Sequence, residues 1–372
     1  MSLAPITPFA IEQSHRPRRR GAVNNVTQLL RTAVAMAILG LGFLAAFMPM
    51  PSHASEGRSF DAFVGSLWPQ AKARGVSRAT FDMAFRGVTP DPSVLEKTRK
   101  QAEFVKPVGE YLGKAVSDNR VQRGRSRAGE FKSALERIDR AYGVDPYIVL
   151  GVWGMETNFG SFSGDNYVIR ALATLAHAGY RGEFFKKELL TALQILEQRH
   201  VAREQFMGSW AGAMGQTQFM PSSFKAYAVD FNGDGHKNIW TDIPDALAST
   251  ANYLKKHGWI AGETWGYEVR LPSDFDPSNH GPTQYRDFSA WAREGVVRAD
   301  REAMPKSGRA ALLTPAGANG PAFLVTPNFK VIKTYNNSTS YALGVALLGD
   351  RIAGGPGVIG RWPSTQRQAD AR

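Results

Sequence analysis

The segment from Tyr147 to Met155 restricts the fold of this chain more than any other stretch, because it is apolar nearly all the way round. Asp145 and Pro146 before it are typical of a helix start, with an N-cap residue followed by proline at the first helical position. A helix without a polar face has to be buried among other elements. The sequence therefore predicts a central helix whose last turn carries Glu156.

Burial would change the acid–base behaviour of Glu156. Removing a carboxyl group from water raises its pKa, and a carboxyl that keeps its proton near neutral pH can act as the general acid in glycosidic-bond cleavage. The local pattern leaves two structural alternatives open. One is an ion pair with an arginine, and the other is a last-turn position from which the side chain reaches solvent beyond Gly160.

Amphipathic helical patterns occur on both sides of this segment. Apolar residues recur at intervals of three and four residues, which is the period of a helix with one buried face. The stretches with this pattern are Phe60–Trp68, Phe131–Ile138, Val168–Ala178, Phe184–His200, Pro244–His257 and Ser338–Ile352. The sequence therefore predicts a mainly α protein.

A second kind of pattern follows the helix that ends near His257. The stretches Trp265–Leu271, Ala322–Thr326 and Phe329–Lys333 alternate or cluster as strands do, and Pro327 lies where the last two would join as a hairpin. We therefore predict a small strand-rich insertion, which makes the fold α+β with helices dominant.

The N-terminal residues have the composition of an export signal. A basic run between Arg16 and Arg31 precedes the apolar stretch Ala33–Met48, which is shorter than the roughly 20 residues that a membrane-spanning helix needs. Small residues at Ser52 and Ala54 then stand where a signal peptidase reads the chain. We predict a signal peptide over residues 1–54 and export with cleavage near Ala54; the alternative is an uncleaved membrane anchor.

Composition narrows the classes of partner and chemistry. The absence of cysteine excludes disulfide scaffolds, zinc ribbons, iron–sulfur clusters, thiol nucleophiles and a lipid attached to an N-terminal cysteine. The net charge is +12, from 45 Lys and Arg against 33 Asp and Glu, and it favours anionic partners. After the predicted signal peptide, basic residues are spread along the chain without a clustered arm, so we predict no nucleic-acid binding.

A glycine-rich segment, Gly208–Pro221, is the second candidate for a functional site. Its glycines allow the backbone to approach a ligand, and its amide and hydroxyl side chains could form hydrogen bonds with a sugar. The alternative is an ordinary glycine-rich turn that leads into the next helix.

Taken together, these segments resemble the B-type lytic murein transglycosylases, glycoside hydrolase family 103. The resemblance extends from about Phe60 to Asp350, and the ordered combination of motifs is highly specific. The motifs are Gly154–Gly160, Ala211–Gly215, Gln218–Ser223, Tyr227–His236, Ala251–Tyr253, and Tyr335–Ser338 followed by Tyr341.

The resemblance implies a lysozyme-like catalytic core with additions on both sides. We expect a helical N-terminal region over 55–140, the catalytic core over 141–260, the strand-rich subdomain over 261–333 and a helix over 334–352 that returns to the core. Residues 353–372 lack an apolar period, so we predict a disordered tail there.

By the same resemblance, Glu156 is the sole catalytic acid and base of a periplasmic, monomeric enzyme that cleaves peptidoglycan without water. Asp165 and Glu183 follow it closely, but sequence does not place them. The implied partners are glycan strands and proteins of cell-wall synthesis, and no organic cofactor is expected. The substrate contacts implied are Ser209, Gln218, Phe219, Tyr253, Tyr335 and Tyr341.

Other interpretations remain open at this stage. The tyrosines could be amphipathic core residues whose hydroxyl groups are satisfied internally. The same scaffold could serve a muramidase, a lysozyme-type hydrolase that releases reducing ends. A non-catalytic, calcium-braced protein that holds murein is the alternative from a different class.

The segment that begins at Asp230 reads as a calcium-binding loop. Side-chain oxygens occupy loop positions 1, 3 and 5, glycine stands at position 6 and a carbonyl donor at position 7. Position 12 is Thr241 instead of a bidentate Glu, so Asp242 or Asp245 would supply the carboxylate, and the resemblance favours Asp245. We predict a structural calcium ion; the alternative is a solvated turn. The predicted ligands are Asp230, Asn232, Asp234, His236 and Asp245.

Overall fold

The computed structural model describes residues 59–100 and 106–363 of the chain. The signal-peptide prediction for residues 1–54 therefore lies outside the described residues, as does the last part of the predicted tail, 364–372. No helix in the described part of the chain is long and apolar enough to cross a membrane.

The region before the central helix is helical, as predicted. Serine N-caps start three of its helices: the hydroxyl groups of Ser59, Ser77 and Ser117 each accept a bond from a backbone N–H of the first turn. The helices are α1 (Phe60–Ala73), α2 (Arg78–Phe85), α3 (Pro92–Lys100), α4 (Val108–Ala115), α5 (Asp118–Glu130) and α6 (Lys132–Tyr142).

The central helix is α7, Pro146–Thr157, and it is buried over most of its length. The Asp145 carboxylate accepts from the backbone N–H of Tyr147 at 2.8 Å and caps its start. Asn158 ends the helix in the left-handed conformation, with φ at +51°. The predicted start of this helix is therefore confirmed, and Glu156 lies in its last turn as predicted.

A short antiparallel pair of strands positions the glycine-rich segment beside α7. Strand β1 (Asn166–Tyr167) pairs with β2 (Met207–Gly208), and Met214 bridges to both Gly208 and Phe219. The surrounding helices of the core are α8 (Val168–His177), α9 (Glu183–Glu197), α10 (Pro221–Tyr227) and α11 (Ile243–Lys256).

The insertion is a five-stranded antiparallel sheet with its own hydrophobic cluster around Phe288, Trp291 and Leu324. Its strand order is β4-β6-β7-β3-β5. The strands are β3 (Gly266–Arg270), β4 (Arg286–Asp287), β5 (Val297–Arg298), β6 (Arg309–Leu313) and β7 (Ala322–Val325), with helix α12 (Phe288–Arg293) between β4 and β5. The small strand-rich insertion is thereby confirmed.

One predicted strand is a helix instead. Residues Phe329–Lys333 belong to α13 (Pro327–Tyr335), and β7 pairs with β3 and β6 rather than with this segment. The hydroxyl group of Thr326 accepts from the backbone N–H of Asn328, and proline stands in the first turn, which together start a helix. The last helix, α14 (Thr339–Ile352), then packs along α7.

The chain after α14 is ordered as far as residue 363, which differs from the predicted disordered tail. The Glu268 carboxylate accepts from the backbone N–H groups of Ile359 at 2.8 Å and Gly360 at 2.6 Å. Trp362 packs against Gly109 of α4, where a Cβ atom would lie 2.7 Å from the tryptophan side chain. Backbone bonds and one aromatic contact thus hold a segment that has no apolar period.

Candidate active site

Glu156 lies in the last turn of α7, half-buried, with one carboxyl oxygen bound to a tyrosine of α14. Tyr341 donates its hydroxyl hydrogen to Glu156 Oε1 at 2.5 Å, and only 3% of the Tyr341 residue is exposed. The bond joins residues 185 positions apart, so it depends on the packing of α14 against α7. Two of the residues implied by the resemblance therefore meet.

The surroundings of Glu156 favour its protonated form near neutral pH. Burial raises the pKa of Glu156 to about 7, and the hydrogen bond from Tyr341 lowers that pKa in part. Within the described part of the chain, no ion pair joins this carboxyl to an arginine, which removes one structural alternative. The carboxyl can therefore release and recover a proton close to physiological pH.

Two residues that the sequence did not single out, Tyr111 on α4 and Arg120 on α5, connect with each other and with the end of α7. Burial and then the charge of Glu156 raise the pKa of Tyr111 to about 12, which keeps its phenol neutral. The charge of Arg120 lowers the pKa of Tyr111 in part. Arg120 also donates its Nε hydrogen to Asn158 Oδ1 at 3.2 Å. Their amphipathic helices carry no local signal of this role, because the contacts exist only in the folded chain.

Gln216 connects the glycine-rich segment to α7 and was also missed. Its side-chain Oε1 accepts from Trp153 Nε1 at 2.8 Å, and its Nε2 donates to the Trp240 carbonyl oxygen at 3.1 Å. Its backbone N–H donates to the Ile239 carbonyl oxygen at 2.8 Å. One buried amide therefore joins α7 to the end of the calcium-like loop.

The polar candidates of the glycine-rich segment are held by hydrogen bonds within the protein. Ser209 accepts from the backbone N–H of Ala213 at 3.0 Å. Gln218 adopts a φ of +50°, which is unusual for a residue other than glycine, and donates to the carbonyl oxygens of Ser163 and Gly215. A positive φ held by side-chain bonds is typical of functional segments.

The three aromatic candidates beside this segment form one packed cluster. Ring centroids of Phe219 and Tyr335 are 5.8 Å apart, and those of Tyr253 and Tyr335 are 4.7 Å apart. Tyr253 donates to the Thr334 carbonyl oxygen and Tyr335 to the Thr217 carbonyl oxygen, each at 2.7 Å. Burial and then the charge of Glu156 raise the pKa of Tyr335 well above its usual value.

The two carboxylates that follow Glu156 in sequence lie elsewhere. Asp165 is exposed and accepts from Asn166 Nδ2 at 3.1 Å. Glu183 is exposed at the start of α9 and pairs with Lys186 at 3.4 Å. Neither contributes to the pKa of Glu156, which depends on burial and Tyr341. The described residues thus give Glu156 no catalytic carboxylate partner.

The calcium-like loop is organised around two aspartates. Asp230 accepts backbone N–H groups of Gly233 at 2.7 Å and Gly235 at 2.8 Å. Asp245 is 0% exposed, and its two oxygens accept from the backbone N–H groups of Phe231 and Asn238, each at 2.8 Å. Asp245 therefore ties the two ends of the loop together.

The donor chemistry of this loop fits a hard divalent cation. Burial raises the pKa of Asp245, and the charges of Asp242 and Asp230 raise it further, so a bound cation would relieve this repulsion. Among the described residues, no three His, Cys, Asp or Glu side chains form a group that could hold a metal ion. The ligands would therefore have to include the Asn232 amide oxygen and the His236 carbonyl oxygen.

This chain is similar in sequence to known proteins of one described family. The family model described as the transglycosylase SLT domain matches residues 59–350. The membrane-bound lytic murein transglycosylase B of Escherichia coli (strain K12) is 38% identical over 250 residues, which are 65% of this chain and 66% of that protein. The matched part is thus slightly less than two thirds of that relative.

Solved structures extend the similarity to the fold. SltB3 from Pseudomonas aeruginosa, in complex with NAG-anhNAM-pentapeptide, superposes with a TM-score of 0.80 at 48% identity, over 82% of this chain and 83% of that one. The E. coli lytic transglycosylase Slt35 in complex with calcium gives a TM-score of 0.67 at 32% identity, over 82% of this chain and 98% of that one.

Proposed function

This chain belongs to the transglycosylase SLT domain family, and we propose that it is a lytic transglycosylase that cleaves peptidoglycan. The observation that carries the proposal is Glu156, a carboxyl group whose pKa is raised to about 7 by burial and which has one oxygen bound by Tyr341. The complexes of SltB3 with NAG-NAM-pentapeptide and NAG-anhNAM-pentapeptide support the choice of substrate.

The reaction uses Glu156 twice. Because Tyr341 donates to Oε1, the acidic proton lies on Oε2 and passes to the oxygen that bridges N-acetylmuramic acid and N-acetylglucosamine. The bond between the anomeric carbon and the bridging oxygen breaks, and the N-acetylglucosamine end leaves with a free 4-hydroxyl group. The carboxylate then takes the proton of the muramoyl 6-hydroxyl group while that oxygen bonds to the anomeric carbon. The product is a 1,6-anhydro ring, and Glu156 recovers its proton.

A single carboxyl group suits this route better than hydrolysis. Retaining and inverting hydrolases both use a pair of carboxylates that flank the bond. Asp165 and Glu183 are both exposed and neither acts on the pKa of Glu156, whereas the internal hydroxyl group of the substrate makes a second carboxylate unnecessary. The phenol of Tyr111 lies within the electrostatic influence of Glu156, and no ion pair joins Glu156 to a described residue.

The remaining candidates would hold the glycan strand. We assign hydrogen bonds to sugar groups to Ser209 and Gln218, and ring contacts to the exposed edges of the aromatic cluster. Phe219 is 3% exposed and Tyr253 is 9% exposed, so most of their contribution is support for Tyr335. The full proposed set of contacts is Ser209, Gln218, Phe219, Tyr253, Tyr335 and Tyr341.

Product analysis of digested sacculi tests the function. Wild-type protein should release muropeptides with anhydro ends, which are one water lighter than hydrolysed ones, and Glu156→Gln should release none while keeping the fold. Reducing-end products would identify a muramidase. Intact activity in Glu156→Gln would contradict the assignment of the acid, and inactive wild-type protein would favour the non-catalytic alternative.

We also propose that the loop from Asp230 to Asp245 binds calcium as a structural ion. The Slt35 complex with calcium and the oxygen-rich donor set support this assignment. Calorimetry with calcium alone should show binding, and the melting temperature should rise; Asp230→Asn should lose both effects. Asp274→Asn, at an exposed aspartate of the insertion, is the matched control and should keep them. No heat and no melting shift in wild type would contradict the proposal.

Localisation is a further part of the proposal. The basic and apolar N-terminal pattern supports export to the periplasm with cleavage near Ala54, and the lack of cysteine supports release without a lipid anchor. Intact-mass measurement of the exported protein should give a chain that begins at Ser55. A mass larger than that of the chain from Ser55 onward would contradict cleavage at this site. Sedimentation analysis should give a monomer.

A further inference from the structure

Phe162 is a large apolar side chain that the fold leaves in solvent beside the catalytic helix. Its residue is 67% exposed, which is more than any other large hydrophobic residue of the described chain. Its backbone N–H donates to the carbonyl oxygen of Thr157, the residue after Glu156, at 3.2 Å. The ring therefore lies on the segment that directly follows the reacting carboxyl.

Bonds on both sides hold this exposed segment in place. Before it, Arg123 donates to the Asn158 carbonyl oxygen at 3.4 Å and also bonds the hydroxyl group of Ser161. After it, the side-chain amide of Gln218 donates to the Ser163 carbonyl oxygen at 2.9 Å. The backbone that carries Phe162 is thus fixed to α5 on one side and to the proposed sugar-binding segment on the other.

The local sequence leaves the ring accessible. Phe162 stands between Ser161 and Ser163, with Gly160 and Gly164 beyond them, so no bulky neighbour in the chain covers its faces. Asn158 and Phe159 both have positive φ, at +51° and +59°, which is costly for residues other than glycine. The exposed apolar ring is therefore carried by a backbone that includes strained residues and is held by bonds from two other segments.

Single exposed hydrophobic residues are common and need no explanation by themselves. Val297 is 55% exposed, but it lies on β5, an edge strand of the insertion, and the insertion's sheet contains none of the candidate site residues. Phe162 differs because its segment follows the end of α7 and is bonded both to Thr157, the residue after Glu156, and to Gln218. The exposed ring is therefore carried between the candidate acid and the candidate sugar-binding segment.

We propose that Phe162 is a stacking platform for a sugar ring of the glycan strand, adjacent to the ring that reacts at Glu156. This inference rests on the proposed function and adds a specificity-determining contact to it. The apolar face of a pyranose packs on an exposed aromatic ring, and the ring loses little conformational freedom because its backbone is already held. The platform favours strands long enough to reach it.

Binding of an N-acetylglucosamine hexamer to the inactive Glu156→Gln protein measures this contact. By calorimetry, adding Phe162→Ala should weaken binding about threefold to tenfold, the usual worth of an aromatic contact. Phe162→Trp should restore the affinity, and Val297→Ala should leave it unchanged. An unchanged dissociation constant in Phe162→Ala would overturn the inference.

Kinetics separate failure of this inference from failure of the proposed function. With intact Glu156, Phe162→Ala should raise KM for glycan strands by the same factor, with kcat and melting temperature unchanged because the ring is solvent-exposed. Failure of the proposed function would appear as wild-type protein that makes no anhydro-muropeptides. Failure of the inference would appear as anhydro products made by both proteins with equal KM.

Discussion

At the scale of single residues, two opposing effects at one carboxyl group determine its chemistry. Burial at the end of α7 raises the pKa of Glu156 to about 7, and the hydrogen bond from Tyr341 works against this rise. In the proposed reaction, such a group is strong enough to give up its proton to a glycosidic oxygen and weak enough to hold that proton beforehand. In the same proposal, the bond from Tyr341 to Oε1 leaves the proton on Oε2.

Removing the hydroxyl group of Tyr341 tests this balance. In Tyr341→Phe the carboxylate loses its hydrogen bond, so the pKa of Glu156 should rise, and the alkaline limb of the kcat/KM profile should move to higher pH. Activity at the optimum should fall about tenfold because the carboxyl is no longer oriented. An alkaline limb that stays in place or moves to lower pH would contradict this account.

Local sequence patterns predicted only some residues of the candidate site. The burial of Glu156 was predictable because nine apolar positions in a row precede it. The N-cap residue Asp145 and the following Pro146 mark the start of that helix. Tyr111, Arg120 and Gln216 were not predictable, because their partners lie on other elements. Gln216, for example, bonds to Trp153 and Trp240, which are 63 and 24 residues away in the chain. Such contacts leave no periodic trace in a sequence.

At the scale of elements, the site depends on the close approach of α7 and α14. A Cβ atom on Gly151 would collide with the carbonyl oxygen of Val345, and one on Gly349 would lie 2.8 Å from the carbonyl oxygen of Tyr147. Glycine at these positions lets the two backbones touch. This contact places Tyr341 of α14 within bonding distance of Glu156.

A single methyl group in this interface should disturb both stability and catalysis. Gly151→Ala should lower the free energy of unfolding by at least about 2 kcal/mol, since the obstacle is backbone and cannot turn away, and kcat should fall as α14 shifts. Gly65→Ala in α1, where no atom lies within 4 Å, is the matched control and should be neutral or stabilising by about 0.5 kcal/mol. Urea denaturation measures both; equal effects would contradict the argument.

The connection between α7 and the calcium-like loop gives a second test at this scale. Gln216→Leu keeps the size of the side chain but leaves Trp153 Nε1 and the Trp240 carbonyl oxygen buried without partners. The free energy of unfolding should fall by about 2–4 kcal/mol. Gln122→Leu, on the exposed side of α5, should change it by less than about 0.5 kcal/mol. A small effect at Gln216 would mean that water replaces its bonds.

Element type was predictable where the pattern was long and failed where it was short. Periodic stretches such as Phe184–His200 gave helices close to their predicted bounds. The run Phe329–Lys333 is too short to distinguish strand from helix, and Thr326 with Pro327 decided it by capping. Residues 353–363 showed no period because Glu268 and backbone N–H groups hold them, rather than an apolar face.

At the scale of the whole molecule, buried carboxyl groups with raised pKa values reduce the free energy of unfolding at high pH. Burial raises the pKa of Glu156 to about 7, and burial also raises the pKa of Asp350, at the far end of α14, to about 7. Trp265 Nε1 donates to both oxygens of Asp350, at 3.0 and 3.1 Å. In the unfolded chain both groups return to ordinary values near 4.

The free energy of unfolding should therefore fall as pH rises from about 4 to 8. Over this range the unfolded chain has released the two protons while the folded chain still binds them, so each rise in pH favours unfolding until the folded groups titrate near pH 7. A double variant tests this pH dependence. The Glu156→Gln and Asp350→Asn protein lacks both carboxyl groups. Relative to wild type it should be more stable at pH 8, by up to about 4 kcal/mol for each group, with the gain shrinking toward pH 4. Denaturation curves at each pH measure the difference, and Glu136→Gln, at an exposed site, controls for the change in net charge. A gain that is equal at pH 4 and pH 8 would mean that neither carboxyl holds its proton in the folded protein.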